Sequence, residues 1–161
     1  MSYYVAAAGS GLILLFAYLV GRGYAAYAGR RYDQYEGLVA LIEHMKGQLE
    51  CYLAGGEAML DGFRSDTLSE VGFFDGEGDA AMRFERVKDF LTVDADTKDR
   101  LSRFFASFGS GYRQAESERL IDILSFLVRQ RDAYREEKEK SVKLVRSLLV
   151  AAALGLIILL I

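Results

Sequence analysis

Two charge-free stretches, VAAAGSGLILLFAYLVG at residues 5–21 and SLLVAAALGLIILLI at residues 147–161, decide what this chain can fold into. Every Asp, Glu, Lys and Arg of the chain lies between Arg22 and Arg146. An ionised side chain costs several kcal/mol at the centre of a bilayer, so an apolar run without charge is typical of a segment in lipid. We predict transmembrane helices over residues 1–21 and 147–161, and a cytoplasmic helical-bundle domain over residues 22–146.

The lengths of the two stretches suit a bilayer. The first has about 17 residues and follows Tyr3 and Tyr4, which stand where aromatic side chains meet lipid headgroups. With the tyrosines it gives roughly 27 Å of helix, close to the ~30 Å hydrocarbon thickness. The second has about 15 residues and reaches a similar length if Lys143 and Arg146 extend their charged groups toward the headgroups.

The basic residues beside both stretches predict the orientation. They lie only on the side of the charged middle, and basic flanks remain in the cytoplasm. We therefore expect the protein in a cell membrane with both termini outside. The flanking basic residues are Arg22, Arg30, Arg31, Lys143 and Arg146.

Two alternatives to a membrane hairpin remain open at this point. Ala26-Tyr27-Ala28 resembles a signal-peptidase site, which would make the first stretch a cleaved signal, although no basic residue precedes it. Both stretches would also fit as buried helices of a soluble core. Against this, neither carries any charge and both lie at the extreme ends of the sequence.

The composition favours an all-α fold. The chain has no proline, so its helices are interrupted only by glycine and capping residues. The single cysteine, Cys51, excludes an internal disulfide and suits a reducing cytoplasm. The net charge of −3, with acids and bases interspersed, does not indicate a nucleic-acid partner. We predict an antiparallel bundle of about five or six helices between the N- and C-terminal transmembrane helices.

Hydrophobic periodicity and capping residues predict where the helices of the middle lie. The i, i+3, i+4, i+7 pattern over residues 32–53 indicates an amphipathic helix that continues from the first membrane stretch. Shorter helices are expected over residues 57–63, over residues 67–74 after the capping box TLSE, and over residues 80–91. A helix capped by Asp94 or Asp96 follows and ends at Gly109, and the last helix starts near Ala115 and shows no stop before Ile161. The apolar positions of these helices are Leu38, Leu41, Ile42, Met45, Leu49 and Tyr52, then Met82, Phe84, Val87, Phe90 and Leu91, then the core face Leu101, Phe104, Phe105 and Phe108, and finally Leu120, Ile123, Leu124 and Leu127.

The sequence offers little material for catalysis. His44 and Cys51 are the only residues of their types and lie about 10 Å apart along one helix, too far for a nucleophile and its base. The chain has no zinc-ligand cluster and no glycine-rich phosphate loop in its sequence. We therefore expect no enzyme activity, no cofactor, no metal and no small-molecule substrate.

A charge-dense part of the last helix, residues 129–139, is the predicted partner-binding surface, because the core periodicity fades there while charges of both signs persist. An ordinary solvated face accounts for the same pattern. The candidate residues are Arg129, Arg131, Asp132, Arg135 and Glu136.

Three further segments carry a resemblance to a known family. They are FFASFG at residues 104–109, EEKEKSVKLVRSL at residues 136–148 and GLIILLI at residues 155–161. Together with the length and the apolar run at each end, they resemble the stage III sporulation protein AB family. Lys143-Leu144 and Arg146-Ser147-Leu148 match that family's entry into its final apolar tail.

The resemblance implies a function. It places the chain in the machinery of endospore formation, in the mother-cell membrane around the forespore, as a non-catalytic platform subunit of a transport complex. The family is similar to the inner-membrane platform protein of type II secretion and type IV pilus systems. Expected partners are a secretion-type ATPase and other membrane subunits of the same complex. The alternative is a generic membrane-anchored helical adaptor or signalling scaffold unrelated to sporulation.

Overall fold

The computed structural model describes residues 2–52, 59–60 and 62–160. The described residues are helical, with turns between the helices and no strand among them. Their five α-helices are α1 (Ser2–Tyr52), α2 (Asp66–Glu70), α3 (Ala80–Val87), α4 (Ala95–Ser107) and α5 (Arg113–Leu160). The prediction of an all-α fold is confirmed. The predicted stop at residues 55–56 and most of the short helix over residues 57–63 fall outside the described residues.

The chain divides into two compact units. One comprises Met1–Gly29 and Tyr134–Ile161, and the other comprises Arg30–Ala133. We call them the terminal unit and the central unit. The boundaries at residues 22 and 146 are placed by the charges and separate the predicted membrane segments from the predicted cytoplasmic domain. They remain a prediction.

The two long helices carry the apolar stretches. By length and composition, Ala7–Glu50 and Arg113–Leu159 could each cross a membrane. Only 11% and 6% of their apolar windows are buried within the protein, whereas the core helix of a soluble protein would be mostly covered. Both helices also continue into the central unit without a break, as the periodicity of residues 32–53 and the missing stop signal before Ile161 predict.

The central unit has an apolar core built from all five helices. On α1 the predicted core face is confirmed, since Leu38, Leu41 and Ile42 are fully buried and Met45 and Leu49 nearly so. Aromatic side chains join α3 to α4, where the rings of Phe84 and Phe105 lie 5.1 Å apart. The other core residues include Met59, Leu60, Leu68, Phe73, Val87, Leu91, Val93, Leu101, Phe104, Leu120, Ile123, Phe126 and Leu127.

Three boundaries differ from the sequence predictions. Helix α2 is capped by the hydroxyl of Ser65, which accepts from the amide of Leu68, and not by Thr67. It ends at Glu70, and α3 ends at Val87 because Phe90 N–H turns back to the Val87 carbonyl at 2.9 Å. Phe90 consequently lies 70% exposed beyond the helix end and Met82 is 58% exposed, so these two apolar residues of the predicted helix are not part of the core. Phe108, which the sequence predicts on a core face, is only half-buried after the end of α4.

The remaining boundaries agree with the sequence patterns. Asp94 caps α4, with its Oδ1 accepting from the amide of Thr97 at 2.8 Å. Gly109 follows α4 with a φ of +87°, a left-handed conformation that favours glycine and ends the helix. The last helix begins at Arg113, two residues before the predicted start.

Candidate functional site

A surface groove lies between α4 and α5 in the central unit. Its volume is about 710 Å³, within the usual range of about 300–1,000 Å³ for binding sites. Its floor contains buried apolar side chains, and its rim carries guanidinium and carboxylate groups. The lining residues are Arg100, Arg103, Phe104, Ser107, Ala115, Glu118, Arg119, Asp122, Ile123 and Phe126.

The spacing of the two helices explains the rim. On α4, Arg100 and Arg103 are three residues apart and therefore share a face. On α5, Glu118 and Asp122 are four residues apart and present acids to the same groove. The rim is therefore mixed in sign, with one more base than acid when Arg119 is included.

Each rim arginine is partly held in place. The Arg100 guanidinium lies 4.2 Å from the ring centre of Phe126, a cation–π contact, and Nε donates to Asp96 Oδ2 at 3.2 Å. Arg119 donates to the Ser107 carbonyl at 3.1 Å. Arg103 donates through Nε to the Asp99 carbonyl at 3.2 Å, and its side chain is exposed. Arg103 therefore has the most freedom to meet a partner.

Glu116 anchors the end of the groove at the start of α5. It is only 4% exposed, and its Oε1 accepts from the Gly111 amide at 2.8 Å and from Arg119 at 3.3 Å. A carboxylate in the first turn also interacts favourably with the helix dipole. This arrangement fixes the turn between the two helices that form the groove.

A buried polar cluster holds α1 against the start of α4. The Tyr35 hydroxyl donates to Asp94, which also accepts from the Thr97 hydroxyl at 2.8 Å. Burial alone would raise the pKa of Asp94, but the hydrogen bonds from Tyr35 and Thr97 outweigh it and keep the pKa below its usual value. Burial, and then the bond to Asp94, raises the pKa of Tyr35. Nearby, Gln34 accepts from the Thr92 hydroxyl at 2.8 Å.

The predicted partner-binding residues all lie on α5. Arg131 and Asp132 form an ion pair at 2.9 Å, which raises the pKa of Arg131. Arg129, Asp132, Arg135 and Glu136 are exposed and Arg131 is half-buried. None of these five lines the α4–α5 groove.

The predicted flanking basic residues divide between the helices. Arg22 and Arg30 on α1 and Lys143 and Arg146 on α5 are exposed, and Arg31 is half-buried. Two of them, Arg22 and Arg146, line a second groove in the terminal unit.

The expected absence of catalytic constellations stays a prediction. Within the described residues no group of three or more His, Cys, Asp and Glu side chains is placed to hold a metal ion. His44 packs against the ring of Phe63, with 5.3 Å between ring centres, as a packing residue would. The side chain of Cys51 lies outside the described residues.

Sequence reasoning missed the groove because it depends on how α4 and α5 pair. The sequence predicts Phe104 and Ile123 in the core, and they form the groove floor while still being buried. The one signal in the sequence is the i, i+3 pair Arg100 and Arg103, which alone does not differ from an ordinary solvated face.

A family model described as stage III sporulation protein AB matches residues 81–161, which contain α4, α5, the whole groove and the C-terminal apolar stretch. Searches of curated proteins and of solved structures give no significant match.

Proposed function

Because this chain belongs to the stage III sporulation protein AB family, we propose that it is a non-catalytic membrane platform subunit of the mother-cell to forespore transport complex. In this role it docks a cytoplasmic secretion-type ATPase and other membrane subunits. The family match supports a part in sporulation, and the two candidate membrane helices support an anchor.

The proposed topology places residues 5–21 and 147–161 in the mother-cell membrane around the forespore. The helices of residues 22–146 form an antiparallel bundle in the cytoplasm, and both termini lie outside. The support is the charge distribution, because every charged residue falls between Arg22 and Arg146.

The observation that carries the docking proposal is the α4–α5 groove. It joins a buried apolar floor to exposed charged groups, the combination found at protein interfaces with a packed centre and a polar rim. It lies wholly within the residues that match the family, and Arg103 is exposed at its edge. The charge-dense part of α5, residues 129–139, remains a second proposed contact.

The test is capture of partners by the tagged full chain from sporulating cells, solubilised in mild detergent and analysed by mass spectrometry. We expect the ATPase and membrane subunits to co-purify. Arg103→Glu should reduce capture by about tenfold or more, because an interfacial base replaced by an acid repels its partner. Lys98→Glu is the matched control, since Lys98 is a base on the same helix that does not line the groove.

If the Arg103→Glu and Lys98→Glu variants capture the partners equally well, the groove is not the docking surface. Arg129→Glu with Arg131→Glu then tests the second contact on α5. Capture of a single soluble partner that is indifferent to sporulation would favour a generic membrane-anchored adaptor.

A further inference from the structure

The second groove lies in the terminal unit, between the first stretch of α1 and the last stretch of α5. Its volume is about 520 Å³. The two helices approach each other at Gly21, where an ideal Cβ would lie 3.4 Å from Leu149 Cδ1 and 3.9 Å from Arg146 Cγ. The groove is lined by Leu14, Ala17, Tyr18, Gly21, Arg22, Arg146, Leu149, Val150 and Ala153.

The close contact at Gly21 is not shared by two glycines nearer the ends of the chain. No heavy atom lies within 4 Å of an ideal Cβ at Gly11 or at Gly155. Gly21 lies roughly three turns nearer the charged middle than Gly11, and Ala153 of α5, which also lines the groove, is buried. Large side chains around this point leave an apolar channel beside the contact.

Charge in this groove is confined to one end. Arg22 is the first charged residue of the chain and Arg146 is the last, so both guanidinium groups belong to the boundary between apolar and charged sequence. From this boundary the lining extends about two helical turns, roughly 11 Å, to Leu14 on α1 and Ala153 on α5.

The two arginines lack an acidic partner. Within the described part of the chain, neither forms an ion pair or side-chain hydrogen bond. The nearest acids in sequence are Asp33 and Glu139, roughly 16 Å and 10 Å away along their helices. Two cations that line one groove without counter-ions favour an anion at this end of it.

We propose that this groove binds an anionic phospholipid. The phosphate lies between Arg22 and Arg146, and an acyl chain lies along the apolar walls beside Gly21. The inference rests on the proposed membrane location of residues 5–21 and 147–161. Basic pockets between membrane helices on the cytoplasmic side are where anionic headgroups bind. An apolar helix from a second copy would fill the channel but leave both guanidinium groups uncompensated.

A tryptophan reporter makes the site measurable, because the chain contains no natural tryptophan. The Tyr18→Trp variant carries the reporter in the groove wall of the full-length protein. Leu19→Trp is the matched variant, since Leu19 is adjacent, 55% exposed and not part of the lining. Both are reconstituted in phosphatidylcholine vesicles with a small fraction of either brominated phosphatidylglycerol or brominated phosphatidylcholine, whose bromines quench tryptophan emission.

With a lipid site, brominated phosphatidylglycerol quenches the Tyr18→Trp variant at a roughly tenfold lower fraction than brominated phosphatidylcholine does. The Leu19→Trp variant shows no such preference. Adding Arg22→Gln and Arg146→Gln to the Tyr18→Trp variant removes its preference. Adding Arg30→Gln and Lys143→Gln instead retains it, because these bases lie on the same helices but outside the groove.

Equal quenching of the Tyr18→Trp variant by the two lipids overturns the proposal, as does a preference shared by the Leu19→Trp variant. A response of the groove reporter to inorganic phosphate at constant ionic strength, without preferential quenching by the anionic lipid, assigns the site to free phosphate. Cross-linking of two copies through the groove, again without preferential quenching, assigns it to a second copy. A chain that does not float with the vesicles overturns the membrane location as well, whereas a chain that floats without a preference overturns only the lipid site.

Discussion

Asp94 has more structural roles than any other carboxylate described in the central unit. It caps α4 through the amide of Thr97, accepts from the Thr97 hydroxyl and accepts from the Tyr35 hydroxyl of α1. Tyr35 is 1% exposed, so its hydroxyl has no access to replacement water. The groove helix α4 is thereby held to α1 through its N-cap residue.

Removing this carboxylate should destabilise the central unit. Asp94→Ala deletes the helix cap and leaves the Tyr35 hydroxyl unsatisfied, so we expect a loss of about 2–3 kcal/mol in the free energy of unfolding. Chemical denaturation of the full chain in detergent, followed by circular dichroism, measures it. The control is Asp96→Ala, which removes an exposed ion pair with Arg100 and should cost less than about 1 kcal/mol. Equal losses would contradict this role for Asp94.

The pKa of Asp94 also predicts a pH dependence. Since the folded pKa is below the ordinary value of 3.8, ionised Asp94 stabilises the folded chain above pH 3.8. This contribution is lost as the pH falls through the lower folded pKa. The stability difference between wild type and Asp94→Asn should therefore be largest above pH 3.8 and shrink in stronger acid. A difference that stays constant with pH would contradict the assignment.

At the scale of the helix, sequence patterns predict most elements and fail where tertiary contacts decide. The heptad-like spacing on α1 identifies Leu38, Leu41 and Ile42 because that helix has a single apolar face. Ser65 and Thr67 are both able to cap α2, and the contact with α1 selects Ser65. An ideal Cβ on Gly37 would lie 3.0 Å from the Ser65 hydroxyl and 3.3 Å from Leu68 Cγ. The absence of a side chain at Gly37 therefore allows α2 to start there.

The glycine that ends α4 and a glycine inside α1 should respond oppositely to alanine. Gly109 has a φ of +87° and open space around it, so Gly109→Ala should lose about 1 kcal/mol through the left-handed backbone alone. Gly47 lies within α1, also in open space, and Gly47→Ala should gain about 0.5–1 kcal/mol. Thermal denaturation of both variants checks the pair. A change of the same sign in both melting temperatures would show that the left-handed backbone at Gly109 does not determine the effect of alanine there.

At the scale of the whole molecule, the charge-free ends and the family resemblance are both accessible from sequence. The ends follow from composition, and the C-terminal motifs lie inside the region that the family model matches. The two grooves cannot be predicted from sequence, because each depends on which faces of two helices meet. Arg103 has no local pattern that distinguishes it from other surface bases. The sequence marks Arg22 and Arg146 as the limits of the charged middle but does not show that they line one groove.

The membrane topology makes a labelling prediction. In a Cys51→Ser chain produced in non-sporulating cells, where the outer side of the cell membrane is open to the medium, a membrane-impermeant maleimide should label Tyr4→Cys in intact cells, because residue 4 is expected outside. It should label Ser125→Cys only after permeabilisation, because that exposed residue of α5 is expected in the cytoplasm. Labelling of residue 125 in intact cells would reverse the orientation.

The measurement that tests the central claim most directly is the heat-resistant spore count of a strain lacking the gene, with and without the intact gene restored. If the protein is a subunit of the sporulation transport complex, the deletion strain should lose several orders of magnitude in heat-resistant spore count, and the intact gene should restore the count. A normal count in the deletion strain would contradict the claim and leave a membrane-anchored helical adaptor.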